Sequence, residues 1–238
     1  MKTEADPLGS ACRDYLAGEK NAEIIVESNL VEDDVIPVEY LFRSFNQMPE
    51  LEKMALTLST GRILDVGAGA GTHALHLQQS NKQVYANEIS AAACEVMRQR
   101  DVKNILQQDF YTLPEDIKYD TILMLMNGIG IAQETANLKK FFAKVKALLA
   151  PNGCLLVDSS DLRYLFEEDD GSLLINLNED YYGEIHYRMK YKDIQGNSFK
   201  WLFIDDALLK YYAAQNGFMM EKIADGHHYD YLCKLTVK

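Results

Sequence analysis

The sequence predicts an α/β fold: a mostly parallel sheet covered by helices on both faces. Three observations carry this. From Gly61 onward, short apolar runs alternate with segments of helical spacing, the pattern of strand–helix–strand units. The runs are apolar at successive rather than alternate positions, as in Ile122–Met126, which marks strands buried on both faces. One run, Arg62–Val66, leads directly into a turn with glycine at 67, 69 and 71. Glycine turns between a strand and a helix are where α/β sheets hold nucleotides.

Taken in order, "RILDV" is the first strand, and "THALHLQQS" has helical spacing through Ala74, Leu75 and Leu77. "KQVYANEI" is strand-like, "AAACEVMRQR" is rich in helix formers, and "VKNILQQ" is a further strand candidate. "YDTILMLM" is a buried strand. "QETANLKKFFAKVKALLAPNG" is an amphipathic helix stopped by Pro151 and Gly153, after which "CLLVDSS" is again a buried strand. The segment Gly183–Lys192 alternates strictly: Ile185, Tyr187, Met189 and Tyr191 face one way, Glu184, His186, Arg188 and Lys190 the other. With "SFKWLFI" it predicts an antiparallel hairpin with one wet face, an insertion at about 180–204. "DDALLKYYAAQNGF" predicts a helix with Asp205 or Asp206 as N-cap and Gly217 at its end. "MMEKIAD" and "YDYLCKLTVK" supply the last two strands. Residues 1–58 predict a mainly helical segment with a loop around Ser28–Tyr40, placed as a lid over the carboxyl ends of the strands; residues 59–238 form the main domain.

The 238 residues, 47% hydrophobic, suffice for one such domain with its insertions. The balance of 24 basic against 36 acidic residues, net −12, with no basic run, argues against nucleic acid or an anionic membrane surface as partner. Cys12, Cys94, Cys154 and Cys233 show no metal-binding spacing. They predict reduced core residues and, with an N-terminus lacking a signal-peptide core, a cytoplasmic protein. Oligomeric state is not legible.

The glycine turn has no lysine, so it is not a triphosphate loop. A dinucleotide frame GxGxxA exists from Gly69 to Ala74, but it leaves Gly67 stranded inside the turn. The fuller pattern, Asp65-x-Gly67-x-Gly69-x-Gly71, resembles motif I of the class I S-adenosylmethionine-dependent methyltransferases. "VYANEIS", "QQDFYTLP", "YDTILMLMNGIG" and "LLAPNGCLLVDSSD" follow in that family's order, so the likeness covers Gly61–Asp161. It implies a Rossmann-like, three-layer α/β/α sandwich with seven strands, the last antiparallel. It implies S-adenosylmethionine as cofactor, with Asp65, Gly67, Ala68, Gly69 and Gly71 at its methionyl end. Glu88 and Ile89 fall at the ribose, Asp109 and Phe110 at the adenine, and Met126 beside the methyl group.

Asn127, at the carboxyl end of the central strand, is the catalytic candidate, with a bare Asn-Gly turn as the plainer alternative. Arg43, Gly128 and Tyr15 are substrate-side candidates; Arg43 has the cofactor carboxylate as a second possible partner and a plain surface arginine as the equal alternative. The family's catechol enzymes place magnesium where Asn127, Asp158 and Asp161 stand. An asparagine in the first position and a split "DSSD" argue against it, so no metal is expected. His73 and His76 are expected to be packed or solvated rather than joint ligands, and Glu167–Asp170 to be a solvated loop. The predicted activity is methyl transfer to nitrogen or oxygen of a small molecule. The rivals are an NAD(P)-dependent oxidoreductase, a non-catalytic binding module and a protein methyltransferase.

Overall fold

The computed structural model describes residues 5–168, 170–176, 178 and 180–238. Asp169, within the acidic run, and residues 1–4 of the N-terminal segment lie outside the described residues. The order of elements is α1 (Pro7–Leu16), β1 (Glu23–Ser28), β2 (Asp34–Pro37), α2 (Glu50–Leu58), β3 (Arg62–Val66), α3 (Thr72–Gln79), β4 (Gln83–Glu88), α4 (Ala91–Gln99) and β5 (Ile105–Gln107). Then come β6 (Tyr119–Met124), α5 (Leu138–Leu148), β7 (Leu149–Ser160), β8 (Glu184–Tyr191), β9 (Ile194–Gln195), β10 (Phe199–Leu202), α6 (Asp206–Gln215), β11 (Phe218–Asp225) and β12 (Asp230–Val237).

The main sheet has seven strands in the order β11-β12-β7-β6-β3-β4-β5. Strands β3 to β7 run parallel, and β12 is antiparallel to both β7 and β11. The chain winds outward from β3 through β4 to β5, then returns to β6 on the other side of β3. The direction of winding therefore reverses between β3 and β6, and a crevice opens at their carboxyl ends.

Both faces are buried, as the continuous apolar runs require. Leu64, Ile122, Met124, Leu155 and Val157 pack with Phe141, Phe142 and Phe218 on one face. Ile63, Leu123, Leu125 and Leu156 pack on the other with Leu51, Ala55 and Leu56 of α2, Ala74 and Leu77 of α3, and Met97 of α4. Helix α2, although it precedes residue 59, is thus a layer helix of the sandwich. Helix α6 starts as expected, with Asp205 accepting from the Leu208 amide at 2.9 Å, and ends before Gly217 at φ +81°. Among the described residues no helix is long and apolar enough to cross a membrane.

The N-terminal segment carries more than helices. Strands β1 and β2 join the inserted hairpin in a second, antiparallel sheet of order β10-β8-β1-β2, with β9 on β8. Ile24 and Val26 of β1 and Tyr191 of β8 turn inward onto Ala11 and Cys12 of α1, Ala70 of the glycine turn and Val96 of α4. Strand β1 pairs with residues more than 150 positions away, such as Ile25 with Lys190. Its partner is invisible to any local pattern. The contacts of this layer fall on the loops that follow β3, β4 and β6: Thr72 Oγ1 donates to the Leu41 carbonyl, Ser90 Oγ to Asp6, and Trp201 Nε1 to the Asn127 carbonyl. The accessory layer therefore covers the carboxyl edge of the main sheet.

Candidate functional site

The glycine turn bridges β3 and α3, and its glycines have different tasks. All three lie in the left-handed region, at φ +71° for Gly67, +54° for Gly69 and +81° for Gly71, where a β-carbon is unfavourable. A β-carbon on Gly71 would come within 2.8 Å of Met97 Cγ and 3.0 Å of Val102 Cγ2, so this glycine lets α3 and its turn pack on α4. At Gly67 and Gly69 a β-carbon would meet open space. Those two positions leave bare backbone facing the crevice. The Gly67 and Ala68 amides both donate to the Asn87 carbonyl, at 2.9 and 3.0 Å, and fix the turn against β4.

Two acids end the adjoining strands. Glu88 closes β4 and is buried; its carboxylate accepts from the Gly69 amide at 2.9 Å and the Ser90 amide at 2.8 Å. Burial pushes its carboxyl above the usual range, against those amide bonds. Asp65 in β3 is 2% exposed, and burial lifts its carboxyl to about 6. Among the described residues its Oδ2 has no hydrogen-bond partner, which leaves a buried acceptor unsatisfied near the end of β3.

Beyond Glu88, Ile89 stands 69% exposed. Asp109 caps the short helical turn Phe110–Thr112 through the Tyr111 amide at 2.7 Å and remains exposed. Phe110 departs from expectation. Its ring is 3% exposed and lies in the core against Tyr111 and Phe141, which leaves little of its face for a ligand ring. The apolar surroundings of "DFYTLP" draw the phenyl inward, and Ile89 is the exposed apolar side chain on this side.

At the end of β6 two successive non-glycine residues adopt left-handed backbone, Met126 at φ +64° and Asn127 at φ +56°. Strain of this kind persists only where surroundings impose it. Here Asp158 accepts from the Met126 amide at 3.0 Å and the Gly128 amide at 3.1 Å. Burial pushes the Asp158 carboxyl up to about 7 despite those two bonds. Ser160 Oγ donates to Asn127 Oδ1 at 3.0 Å, and Trp201 Nε1 to the Asn127 carbonyl at 3.1 Å. A β-carbon on Gly128 would press on Met124 Cβ at 2.6 Å, so this glycine serves the turn's own packing. Asp161, once weighed with Asp158 and Asn127, is buried and accepts from the Arg163 amide and the Tyr182 hydroxyl.

The largest feature missing from the sequence expectations is a buried charge network. Arg43 and Glu52 form an ion pair at 2.5 Å with side chains 3% and 5% exposed, and His73 Nε2 meets Glu52 Oε2 at 2.8 Å. Burial raises the Glu52 carboxyl, and His73 and Arg43 more than offset this, so it titrates below its usual range. Arg43 Nη1 also donates to the Tyr40 carbonyl, its guanidinium lies 3.9 Å from the Tyr40 ring, and its Nε is buried without a partner. Arg43 is therefore no surface arginine. Glu52 was detectable: it shares the buried face of α2 with Leu56, four residues on, a position a lone acid does not occupy unpaired. His76 stacks on Phe45 with ring centroids 4.0 Å apart, so the two histidines diverge. Tyr15 packs on Phe42 at 4.6 Å, and Phe42 in turn meets Arg100, which donates to the Ala70 carbonyl. Tyr15 thereby lies on the glycine-turn side.

A doubly wound sheet with an open glycine turn at its switch point and acids closing the first two strands defines a nucleoside-binding α/β protein. Residues 63–153 match a family described as methyltransferase domain. A crystal structure of an S-adenosylmethionine-dependent methyltransferase from Bacteroides fragilis, in complex with S-adenosyl-L-homocysteine, is 52% identical over 100% of this chain and 97% of that one, with a TM-score of 0.93. The methyltransferase CcbJ from Streptomyces caelestis, 14% identical over 80% of this chain and 90% of that one (TM-score 0.60), shares the fold. So does the sugar N-methyltransferase KedS8 from Streptoalloteichus, 16% identical over 79% and 85% (TM-score 0.55). No curated protein matches the chain. The chain belongs to the S-adenosylmethionine-dependent methyltransferases. The dinucleotide frame at Gly69 is thereby set aside: Gly67, directly after β3, is the first glycine of the turn.

Proposed function

We propose that this methyltransferase acts on a nitrogen of a small molecule, with the acceptor seated at the Met126–Gly128 turn. The residues fit the donor. The bare backbone at Gly67 and Gly69 admits a close ligand, the unsatisfied Asp65 Oδ2 suits its ammonium group, and Arg43 Nε suits its carboxylate. Glu88 and Ile89 would take the ribose and the ring face, and Asp109 the adenine amino group. Bound there, S-adenosylmethionine supplies a methyl group already activated on sulfur. The protein has only to hold the acceptor in line and exclude water.

The observation that carries the acceptor assignment is the strained turn of Met126 and Asn127, fastened by Asp158 beside the donor cradle. Asp65 pairs with Leu123 and Val157 with Met124, so the ends of β3 and β7 flank β6 two strand spacings, or about 10 Å, apart. The accessory layer covers the same edge, which suits a small molecule better than a folded protein or a nucleic acid. Asp158, Ser160 and Trp201 are the side chains bonded to the turn, and none is a strong base at neutral pH. A neutral amine needs none before it attacks, and Asp158, with its carboxyl near 7, can take the proton the nitrogen then sheds. The acidic net charge and the unpaired cysteines fit a cytoplasmic enzyme acting on such a metabolite.

The test is a panel of small amines and alcohols incubated with methyl-labelled donor. Methylated amines are expected. Label on alcohols alone would move the assignment to oxygen, and label on protein or nucleic acid alone would refute the small-molecule acceptor.

A further inference from the structure

The inserted hairpin touches the segment after β6 at three points. Trp201 Nε1 donates to the Asn127 carbonyl at 3.1 Å. Lys200 Nζ meets Glu134 Oε2 at 2.7 Å. Glu184 Oε1 accepts from the Thr135 amide at 2.9 Å and its hydroxyl at 2.7 Å. The indole seat is shaped for its occupant, because a β-carbon on Gly130 would overlap the Trp201 ring. The Asn127 carbonyl also accepts from the Gly130 amide at 3.0 Å, and the Gln133 amide closes on the Gly130 carbonyl at 2.8 Å. The turn is thus gripped from below by Asp158 and from the side by an element that the main sheet does not contain.

We propose that Trp201 is a positioning residue for methyl transfer: its indole N–H holds the Asn127 carbonyl and so sets the angle at which the turn presents the Asn127 side chain to the acceptor. This rests on the assignment of that turn to the acceptor. The physical logic is local. Left-handed backbone at two successive non-glycine residues relaxes unless both ends of the turn are held. Asp158 holds its amides; the Gly130 amide reaches the central carbonyl only from within the turn, and the indole N–H ties that carbonyl to the neighbouring sheet, a bond that a phenyl ring of similar shape cannot make. Strand β10, which carries Trp201, pairs with β8, and β8 pairs with β1 of the N-terminal segment. The same sheet thus lies against the glycine turn through Ile24 and Val26. The hairpin is the part of the accessory sheet that tunes the acceptor side, while β1 serves the donor side.

Trp201 is the chain's single tryptophan, so selective excitation reads this contact directly. In Trp201→Phe, with S-adenosyl-L-homocysteine bound, the Gly130 and Gln133 amides should exchange hydrogen about tenfold faster, as loss of one hydrogen bond allows. The product's affinity should stay within about twofold of wild type, because the glycine turn is untouched. Trp201→His restores a ring N–H and should recover part of the protection. Gly130→Ala should shift the Trp201 emission by pushing the indole off its seat. On the best amine from the panel, Trp201→Phe should lower kcat about tenfold and leave the KM for donor unchanged. Unchanged exchange in Trp201→Phe overturns the proposal, and so does faster exchange with wild-type kcat. If Trp201→Phe lowers kcat while Asn127→Ala does not, Trp201 does not act by presenting the Asn127 side chain and the proposal fails, while methylation of the panel amines still supports the reading of the site.

Discussion

Replacing Glu52 by glutamine tests whether the buried Arg43–Glu52–His73 network holds the N-terminal segment to the donor-binding helix. Glu52 belongs to α2, Arg43 to the chain before it and His73 to α3, so the network ties three separate pieces together. With both side chains of the ion pair at most 5% exposed, water cannot replace the lost carboxylate. Removing one partner of such a pair costs about 3–5 kcal/mol. Glutamine retains one oxygen acceptor, so the lower end, about 3 kcal/mol, is expected. For a chain of this length each kcal/mol moves Tm by about 2–4 °C, which gives a fall of about 6–12 °C. The loss should depend on pH in one direction. The Glu52 carboxyl titrates below its usual range in the fold, so its stabilisation is present above the ordinary carboxylate pKa and disappears as pH falls through the depressed value. Wild type and variant should therefore converge in acid. Thermal unfolding followed by circular dichroism across that range gives the numbers. An apolar pair, Arg43→Met with Glu52→Leu, should recover much of the loss, because no charge is then left buried alone. A Tm change under about 2 °C in Glu52→Gln, or additive single and double variants, would falsify the network as a structural tie.

Three further outcomes follow from the site. Gly69→Val should fold, at a cost of about 1–2 kcal/mol for its left-handed backbone, yet lose donor binding by calorimetry because its side chain fills the open cradle. Gly71→Ala should instead lose stability, by about 1–3 kcal/mol, through overlap with Met97 and Val102; equal effects of the two variants on binding would remove the distinction between a ligand-facing and a packing glycine. Asn127→Ala should bind S-adenosyl-L-homocysteine normally and lose turnover on the accepted amine, and loss of product binding would reassign Asn127 to the donor. Affinity for S-adenosylmethionine should rise as pH increases from below 6 to above 7, because Asp65 and then Asp158 become anionic across that window and face a cationic ligand. The demethylated product keeps the ammonium group that Asp65 would meet but lacks the sulfonium charge, so it should respond through Asp65 and less through Asp158; a flat profile for both ligands would discount the acids.

The main sheet was legible because its evidence is local. Continuous apolar runs such as Ile122–Leu125 are buried on both faces, although Met126 just beyond is exposed, and Asp65 with the three glycines sits where a strand gives way to a helix. The caps of α6 needed only Asp205 and Gly217. What escaped depended on partners far along the chain. Strand β1 pairs with β8, and nothing within Glu23–Ser28 announces that. Phe110 belongs to a family-like motif, yet its phenyl follows the hydrophobic demand of Phe141 and not the motif. Arg43 reads as a surface cation because its counter-charge, Glu52, lies nine residues on in the next helix, beyond the reach of a local pattern.

These misses share a cause with the acceptor specificity of the enzyme. The proposed donor cradle draws on β3, β4 and their turns, which are consecutive in sequence. The proposed acceptor side would be assembled from the end of β6, Asp158 of β7, Trp201 of the insertion and, across the second sheet, strands from the N-terminal segment. Each part is held by contacts between elements, so any one can change while the glycine turn remains as it is. A change in the insertion that leaves Trp201 on the Asn127 carbonyl should alter the walls of the acceptor pocket but not the angle of its floor. A change that removes that bond should lower turnover on every acceptor alike. Exchanging residues 192–198, the hairpin tip beyond Trp201, separates the two cases: the amine profile is expected to shift while the turn's amide protection stays at the wild-type level.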